Sequence, residues 1–238
     1  MAQDGKESFV LEAEQLEELI RSGVKNVGGA GGSPRALGIC SSPAAILCSF
    51  VGRRTLEEVL ENSTLSDDEL LRLSLRLCVA VQEVHERGYI HNDLMDDNVV
   101  VDAATGRVSI IDFGNACRPG RDVGYSASSN DNLAPDNLGG GPSTVASDVF
   151  SVGYLLGQIL GEMARPPGTL GRLAREMQSA DPRRRPALRA AIQRLDACYL
   201  LGDDSESESE AECESQAAPK KRSAEGVLLS EAKRQRCE

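Results

Sequence analysis

Tyr89-Ile90-His91-Asn92-Asp93-Leu94-Met95-Asp96-Asp97-Asn98, and beyond it Asp112-Phe113-Gly114, is the stretch that decides how this chain is read. It places a carboxylate at Asp93, an amide five residues on at Asn98, and a second carboxylate at Asp112. Between them, Val99-Val100-Val101 and Val108-Ser109-Ile110-Ile111 flank the turn Asp102-Ala103-Ala104-Thr105-Gly106. Two β-branched runs about such a turn predict a hairpin. Three oxygen-bearing side chains are then placed so that they can converge, a grouping that suits a hard cation. Magnesium takes a few carboxylate and amide oxygens together with substrate phosphates, and a carboxylate beside it can orient a hydroxyl for in-line attack. Asp and Asn are also favoured turn formers, so a plain hairpin turn is the other reading of these three residues alone.

Outward from that stretch the pattern is mostly helical. Ser66, followed by Asp67, Asp68 and Glu69, forms a capping box that opens a long helix through Val84, with Leu70, Leu73, Leu77, Val81 and Val84 at helical spacing. Residues 36–40 and 45–51 are short apolar runs around Ser41-Ser42-Pro43 and predict two strands. Residues 9–20 predict an amphipathic helix closed by Gly23 and the glycine run 28–32. Downstream, 148–160 is almost wholly apolar and predicts a buried helix, and 188–200 predicts a final amphipathic one. No internal repeat is visible.

In this order the motifs resemble those of the eukaryotic-type protein kinases, of serine/threonine-like kind. His91-Asn92-Asp93 with Asn98 is similar to the family's H-R-D-L-x-x-x-N loop, and Asp112-Phe113-Gly114 to its D-F-G. Ala134-Pro135-Asp136 resembles A-P-E, Asp148 to Gly153 resembles D-V-W-S-x-G, and Asp181-Pro182 with Arg185-Pro186 resembles D-P-x-x-R-P. Phe9 to Glu14 resembles the start of helix C, and 45–56 the fifth strand, hinge and following helix.

The resemblance implies an α+β kinase-like fold: a mainly helical C-lobe, a truncated N-lobe of helix C plus a short strand pair, and a disordered C-terminal tail. The implied boundaries are a kinase-like domain over 1–202 (N-lobe remnant 1–51, C-lobe 52–202) and a tail over 203–238. It implies ATP and Mg2+ as cofactors and transfer of the γ-phosphoryl group to Ser/Thr hydroxyls of a protein substrate. Asp93 is then the base, and Asn98 and Asp112 bind the nucleotide's metal. Cys48 is the gatekeeper, and the backbone of Ser49, Phe50 and Val51 meets adenine. Glu12 takes the place of the helix C glutamate, and Leu16, Leu37, His91 and Phe113 stack as an apolar spine. Asp136 and Arg185 form a buried pair, expected to fit less well because Asp is one methylene shorter than the family's Glu.

The departures point the other way. Only eight residues precede Phe9, so neither the Gly-rich strand pair nor the strand bearing the phosphate-binding lysine is expected in this sequence. The glycine run at 28–32 follows helix C and has Pro34 where a third phosphate-loop glycine would stand, which makes it a helix-to-strand loop. Met95 replaces a lysine that contacts the transferred phosphate, and Asn92 replaces the arginine that reads activation-segment phosphorylation, so activity should not depend on phosphorylating 126–129. Removing one such charge-stabilising donor costs about 3–4 kcal/mol. The alternative is therefore a pseudokinase or interaction scaffold without catalysis.

Composition sets the outer limits. The chain has 238 residues, 40% hydrophobic and 26% charged, ordinary values that exclude a collagen, a coiled coil or a wholly disordered chain. No apolar window approaches membrane-spanning length, and Met1 to Glu7 lacks the apolar core of a secretory signal. Seven cysteines without a C-x-x-C pair, and two histidines, fit neither a disulfide framework nor a zinc site, which favours a reducing compartment. A net charge of −11 speaks against nucleic-acid partners. Residues 203–214 hold seven acids in twelve positions, too little apolar surface to offset ordering. Lys220-Lys221-Arg222 and Lys233-Arg234-Gln235-Arg236 resemble a bipartite nuclear localisation signal, so importin is an expected partner and a nuclear location is favoured over a cytoplasmic one. Ser205, Ser207 and Ser209 each have a Glu three residues later, an acidic-directed phosphorylation pattern.

Overall fold

The structure is a computed structural model that describes residues 30–41, 44–62, 64–102, 104–121 and 131–201. The helix expected over 9–20, with Glu12 and Leu16, the segment 126–129 and the tail over 203–238 lie outside the described residues.

Two antiparallel strands, β1 (Ala36–Ser41) and β2 (Ala44–Cys48), form the first sheet. The second apolar run was expected to stay extended to 51, but β2 stops at Cys48. Ser49 closes the ladder there: its N–H donates to the Arg35 carbonyl at 2.8 Å and its hydroxyl accepts from the Arg35 N–H at 2.7 Å. A second sheet, ordered β3 (Arg54–Thr55), β4 (Val99–Asp102) and β5 (Arg107–Ile110), is also antiparallel. The β4–β5 pair is the hairpin anticipated from sequence, in the register Val99 opposite Ile110 and Val101 opposite Val108.

The helices are α1 (Leu56–Asn62), α2 (Asp67–Glu86), α3 (Pro135–Leu138), α4 (Val145–Gly161), α5 (Gly168–Met177) and α6 (Leu188–Leu201). Ser66 caps α2 in a full capping box: its side chain accepts from the Glu69 N–H, and Glu69 Oε2 accepts from the Ser66 N–H at 2.9 Å. The Ser66 hydroxyl also donates to Oε2 at 2.7 Å, and this bond together with that from the Ser66 N–H holds the Glu69 carboxyl below its usual range. Leu70, Leu73, Leu77, Val81 and Val84 of α2 are buried, and the helix packs against both α4 and α6. α4 is buried along most of its length and packs on α5. Gly153 permits that approach, since a Cβ there would lie 2.6 Å from Met177 Cβ. The result is an α+β fold, mainly helical, with two small antiparallel sheets.

What ties the first sheet to the helical part is the turn Ala30–Gly32. Gly31 N–H donates to Glu83 Oε2 of α2 at 2.8 Å, and Gly32, at φ +64°, lies so close to β5 that a Cβ would stand 2.5 Å from the Val108 carbonyl oxygen. These glycines serve close packing onto α2 and the hairpin.

Candidate active site

The site is assembled by the hairpin, which returns the chain from Asn98 to Ile111. Both backbone polar groups of Ile111 are spent on the preceding loop: its N–H donates to the Asn98 carbonyl at 2.9 Å, and its carbonyl accepts from His91 Nε2 at 3.0 Å. Asp112 follows directly and is thereby held beside Asn98. The Asn98 side chain donates Nδ2 to the Asp93 carbonyl at 2.9 Å, which commits its nitrogen end to the loop and leaves the oxygen as its ligand-capable end. The backbone thus brings residue 112 next to residue 98, and the Asn98 side chain ties that strand end to the Asp93 carbonyl.

His91 is a buried internal strut. Its Nδ1 accepts from the Asp93 N–H at 3.3 Å while Nε2 meets the Ile111 carbonyl, an arrangement that needs the neutral Nε2-protonated tautomer. Burial lowers its pKa below the ordinary imidazole value, although Asp148 and the Ile111 bond pull the other way. Its ring packs edge-on to Phe113 at 4.9 Å, so the lower half of the expected spine is formed. Leu37, assigned to the same stack, is 51% exposed, while Leu16 lies outside the described residues.

Beneath the loop sits Asp148, with no exposure at all. Its carboxylate accepts from the backbone N–H groups of His91 (2.8 Å) and Asn92 (2.9 Å) and from His85 Nε2 (2.8 Å). Asp148 is not a helix cap: α4 begins three residues earlier at Val145, with Ser147 accepting from the Thr144 N–H. His85, in the last turn of α2, is the third donor to this carboxylate.

Asn92 and Asp112 are the two non-glycine residues with positive φ among the described residues, at +68° and +58°. Asn and Asp tolerate that region because their short polar side chains bond locally. Asp112 Oδ1 accepts from the Gly114 N–H at 3.1 Å. Asn92, where an arginine was expected by resemblance, is 3% exposed and donates Nδ2 to the Asn115 carbonyl at 2.9 Å and to Cys117 Sγ at 3.2 Å. The segment after Asp112-Phe113-Gly114 is fixed further by the reciprocal backbone pair of Ile90 and Cys117.

The family model of the protein kinase domain matches residues 38–167, more than half of the chain. This chain belongs to the protein kinase family. Its relatives include a probable serine/threonine-protein kinase PknB of Lactococcus lactis, 29% identical over 133 residues, covering 52% of this chain and 20% of the relative. The serine/threonine-protein kinase mos of Patiria pectinifera is 31% identical over 129 residues, covering 50% and 36%. The serine/threonine-protein kinase shk2 of Schizosaccharomyces pombe is 32% identical over 73 residues, covering 31% and 12%. The chain therefore spans a minor part of the length of these curated relatives.

Within this kinase domain, the Asp136–Arg185 pair forms despite the shorter acid. The Arg185 side chain is fully buried, reaches Asp136 Oδ1, and is held in place by the Ser179 carbonyl at 2.8 Å and the Ala146 carbonyl at 2.9 Å. These carbonyls position the guanidinium so that the acid need not reach as far. Of the residues expected from the resemblance to meet adenine, Cys48 and Phe50 are exposed and Ser49 and Val51 are half-buried. Beside Asn98, the proximity of the Asp97 carboxylate, with Asp96 and Glu61 nearby, raises the Glu57 pKa. The mouth of the loop is accordingly acidic. Asn115, which no sequence pattern singled out, donates Nδ2 to Asp93 Oδ2 at 3.3 Å; its position just after Gly114 was the one available signal.

Proposed function

We propose that this chain is a protein kinase that transfers the γ-phosphoryl group of ATP to Ser/Thr hydroxyls of proteins. The observation that supports this best is the Ile111 junction, which sets Asp112 beside Asn98 and ties both to the loop carrying Asp93. Hard oxygen donors from a carboxylate and an amide fit magnesium, so Asn98 and Asp112 are the residues that would hold it. When bound, the ion neutralises charge on the phosphate oxygens. Asp93, half-buried and aimed by its neighbours, would accept the substrate hydroxyl proton. The backbone from Cys48 to Val51 would face adenine. Folding of 1–202 as the kinase unit and nuclear import through the basic clusters of 203–238 belong to the same proposal.

The test is a melting shift with ATP in the presence and absence of Mg2+, followed by phosphate transfer to a serine/threonine peptide. Ligand at 100 times its Kd stabilises by about 2.7 kcal/mol, or roughly 5–10 °C for a domain of this size. The shift should require the metal, and Asp93→Asn should abolish transfer while leaving the shift in place. Zero shift under both conditions, or transfer that survives Asp93→Asn, refutes the reading. A second reading, an interaction scaffold, is favoured by one sequence observation: no lysine occurs between Lys25 and Lys220. A silent melting experiment would leave that reading standing.

A further inference from the structure

Asn115 stands outside the machinery assigned so far, yet it is held from two sides. Its carbonyl accepts from the buried Asn92 side chain at 2.9 Å, and its own Nδ2 donates to Asp93 Oδ2 at 3.3 Å. On either side of it the backbone is fixed: Ala116 N–H donates to the Phe113 carbonyl at 3.0 Å, and Cys117 exchanges two bonds with Ile90. Phe113 is itself buried, at 2% exposure. An exposed asparagine usually loses a bond to a carboxylate in competition with water and side-chain entropy. Here the main chain that carries it has no freedom left to lose, so the bond is prepaid by the Asn92 latch.

The carboxylate it meets has need of such a partner. Among the described residues no lysine or arginine side chain pairs with Asp93, Met95 offers no donor, and Asn92 is turned away toward 115–117. A carboxylate with both oxygens turning in solvent is a poorly aimed base, because proton acceptance requires hydrogen-bond reach and alignment. A neutral amide on one oxygen aims the group without adding a counter-charge beside it. We propose that Asn115 is the positioning residue of the base: it holds Asp93 by Oδ2 and presents Oδ1 to the substrate hydroxyl. The inference rests on the kinase reading and adds a residue to it. It also means that the Asp93 geometry is set by Asn92 and Asn115, with no phosphate on the segment between Arg121 and Asp131 required.

Two measurements on the full chain decide it. The first does not use activity. The side-chain amide resonance of Asn115, assigned by its loss in Asn115→Asp, should move when the solution is acidified enough to protonate the carboxylate it is bonded to. The movement should vanish in Asp93→Asn and persist in Asp112→Asn; the other titratable groups around the loop are Asp96, Asp97 and His91, with Asp148 beneath it. Movement that persists in Asp93→Asn overturns the proposal. The second is kinetic. Asn115→Leu should lower kcat about 10-fold with KM for ATP unchanged, and Asn115→Asp should lower it further through like-charge repulsion. An unchanged kcat in folded Asn115→Leu overturns the proposal. A parent chain with no transfer activity at all refutes the kinase reading and the positioning role with it, while the resonance still reports whether Asn115 holds Asp93.

Discussion

Asp148→Asn is the sharpest test of how the loop is held. The wild-type carboxylate is fully buried and accepts three bonds, two from backbone N–H groups of His91 and Asn92 and one from His85. The amide has nearly the same shape but a single acceptor oxygen, and its NH2 must face at least one of those donors. An unsatisfied buried N–H costs about 1–3 kcal/mol, and a lost bond to a charged acceptor about 1.5–3. A net destabilisation of about 3 kcal/mol corresponds to a Tm lowered by roughly 6–12 °C for a domain of 150–250 residues.

The pH dependence has a definite sign. Burial alone pushes the Asp148 pKa up, but the bond and charge of His85, with His91 behind it, outweigh that and hold it below its ordinary value of 3.8. A lowered folded-state pKa means that the contribution is complete above the unfolded value and is lost as pH falls through the folded one. Thermal melts of both proteins from pH 8 downward should therefore show a constant gap to about pH 5, closing only below about pH 4. A variant within about 1 °C of wild type at pH 7, or a gap that closes between pH 8 and 6, refutes the assignment.

Other perturbations follow from the same coordinates. Asp136→Ala strands the fully buried Arg185 guanidinium and should cost about 3 kcal/mol in urea unfolding; a loss below about 1 kcal/mol would show that the carbonyls alone suffice. Gly32→Ala forces a residue at φ +64° with its Cβ 2.5 Å from a backbone oxygen, an expected loss of at least about 2 kcal/mol, which an unchanged Tm would contradict. Ser66→Ala removes the α2 cap and should cost about 1 kcal/mol, read as a lower urea midpoint at constant m.

Features that act within a few residues of chain were legible before any coordinates. The capping box at Ser66, the periodic face of α2 and the β4–β5 hairpin all arise from local bonding and side-chain spacing, and the structure has them where the pattern put them. Motif order was informative for a different reason: Asp136 and Arg185 are 49 residues apart, yet each sits in a recognisable triplet or turn, so their meeting could be expected. Where the structure departs from the sequence pattern, local competition is the reason. β2 ended early because Ser49 turned its N–H and hydroxyl back to Arg35, and α4 began early because Thr144, Val145, Ala146 and Ser147 carry no apolar periodicity to announce a helix.

From the sequence alone come the kinase motifs, the types of the described elements and the expectation that Asp93, Asn98 and Asp112 carry the chemistry. Tertiary structure alone decided which groups hold them: His85 reaches Asp148 across 63 residues, and Asn115 reaches Asp93 across 22. The physical reason is that a polar side chain satisfies its bonding wherever the fold brings a partner, and one isolated His or Asn has no period or spacing by which that partner could be read in advance.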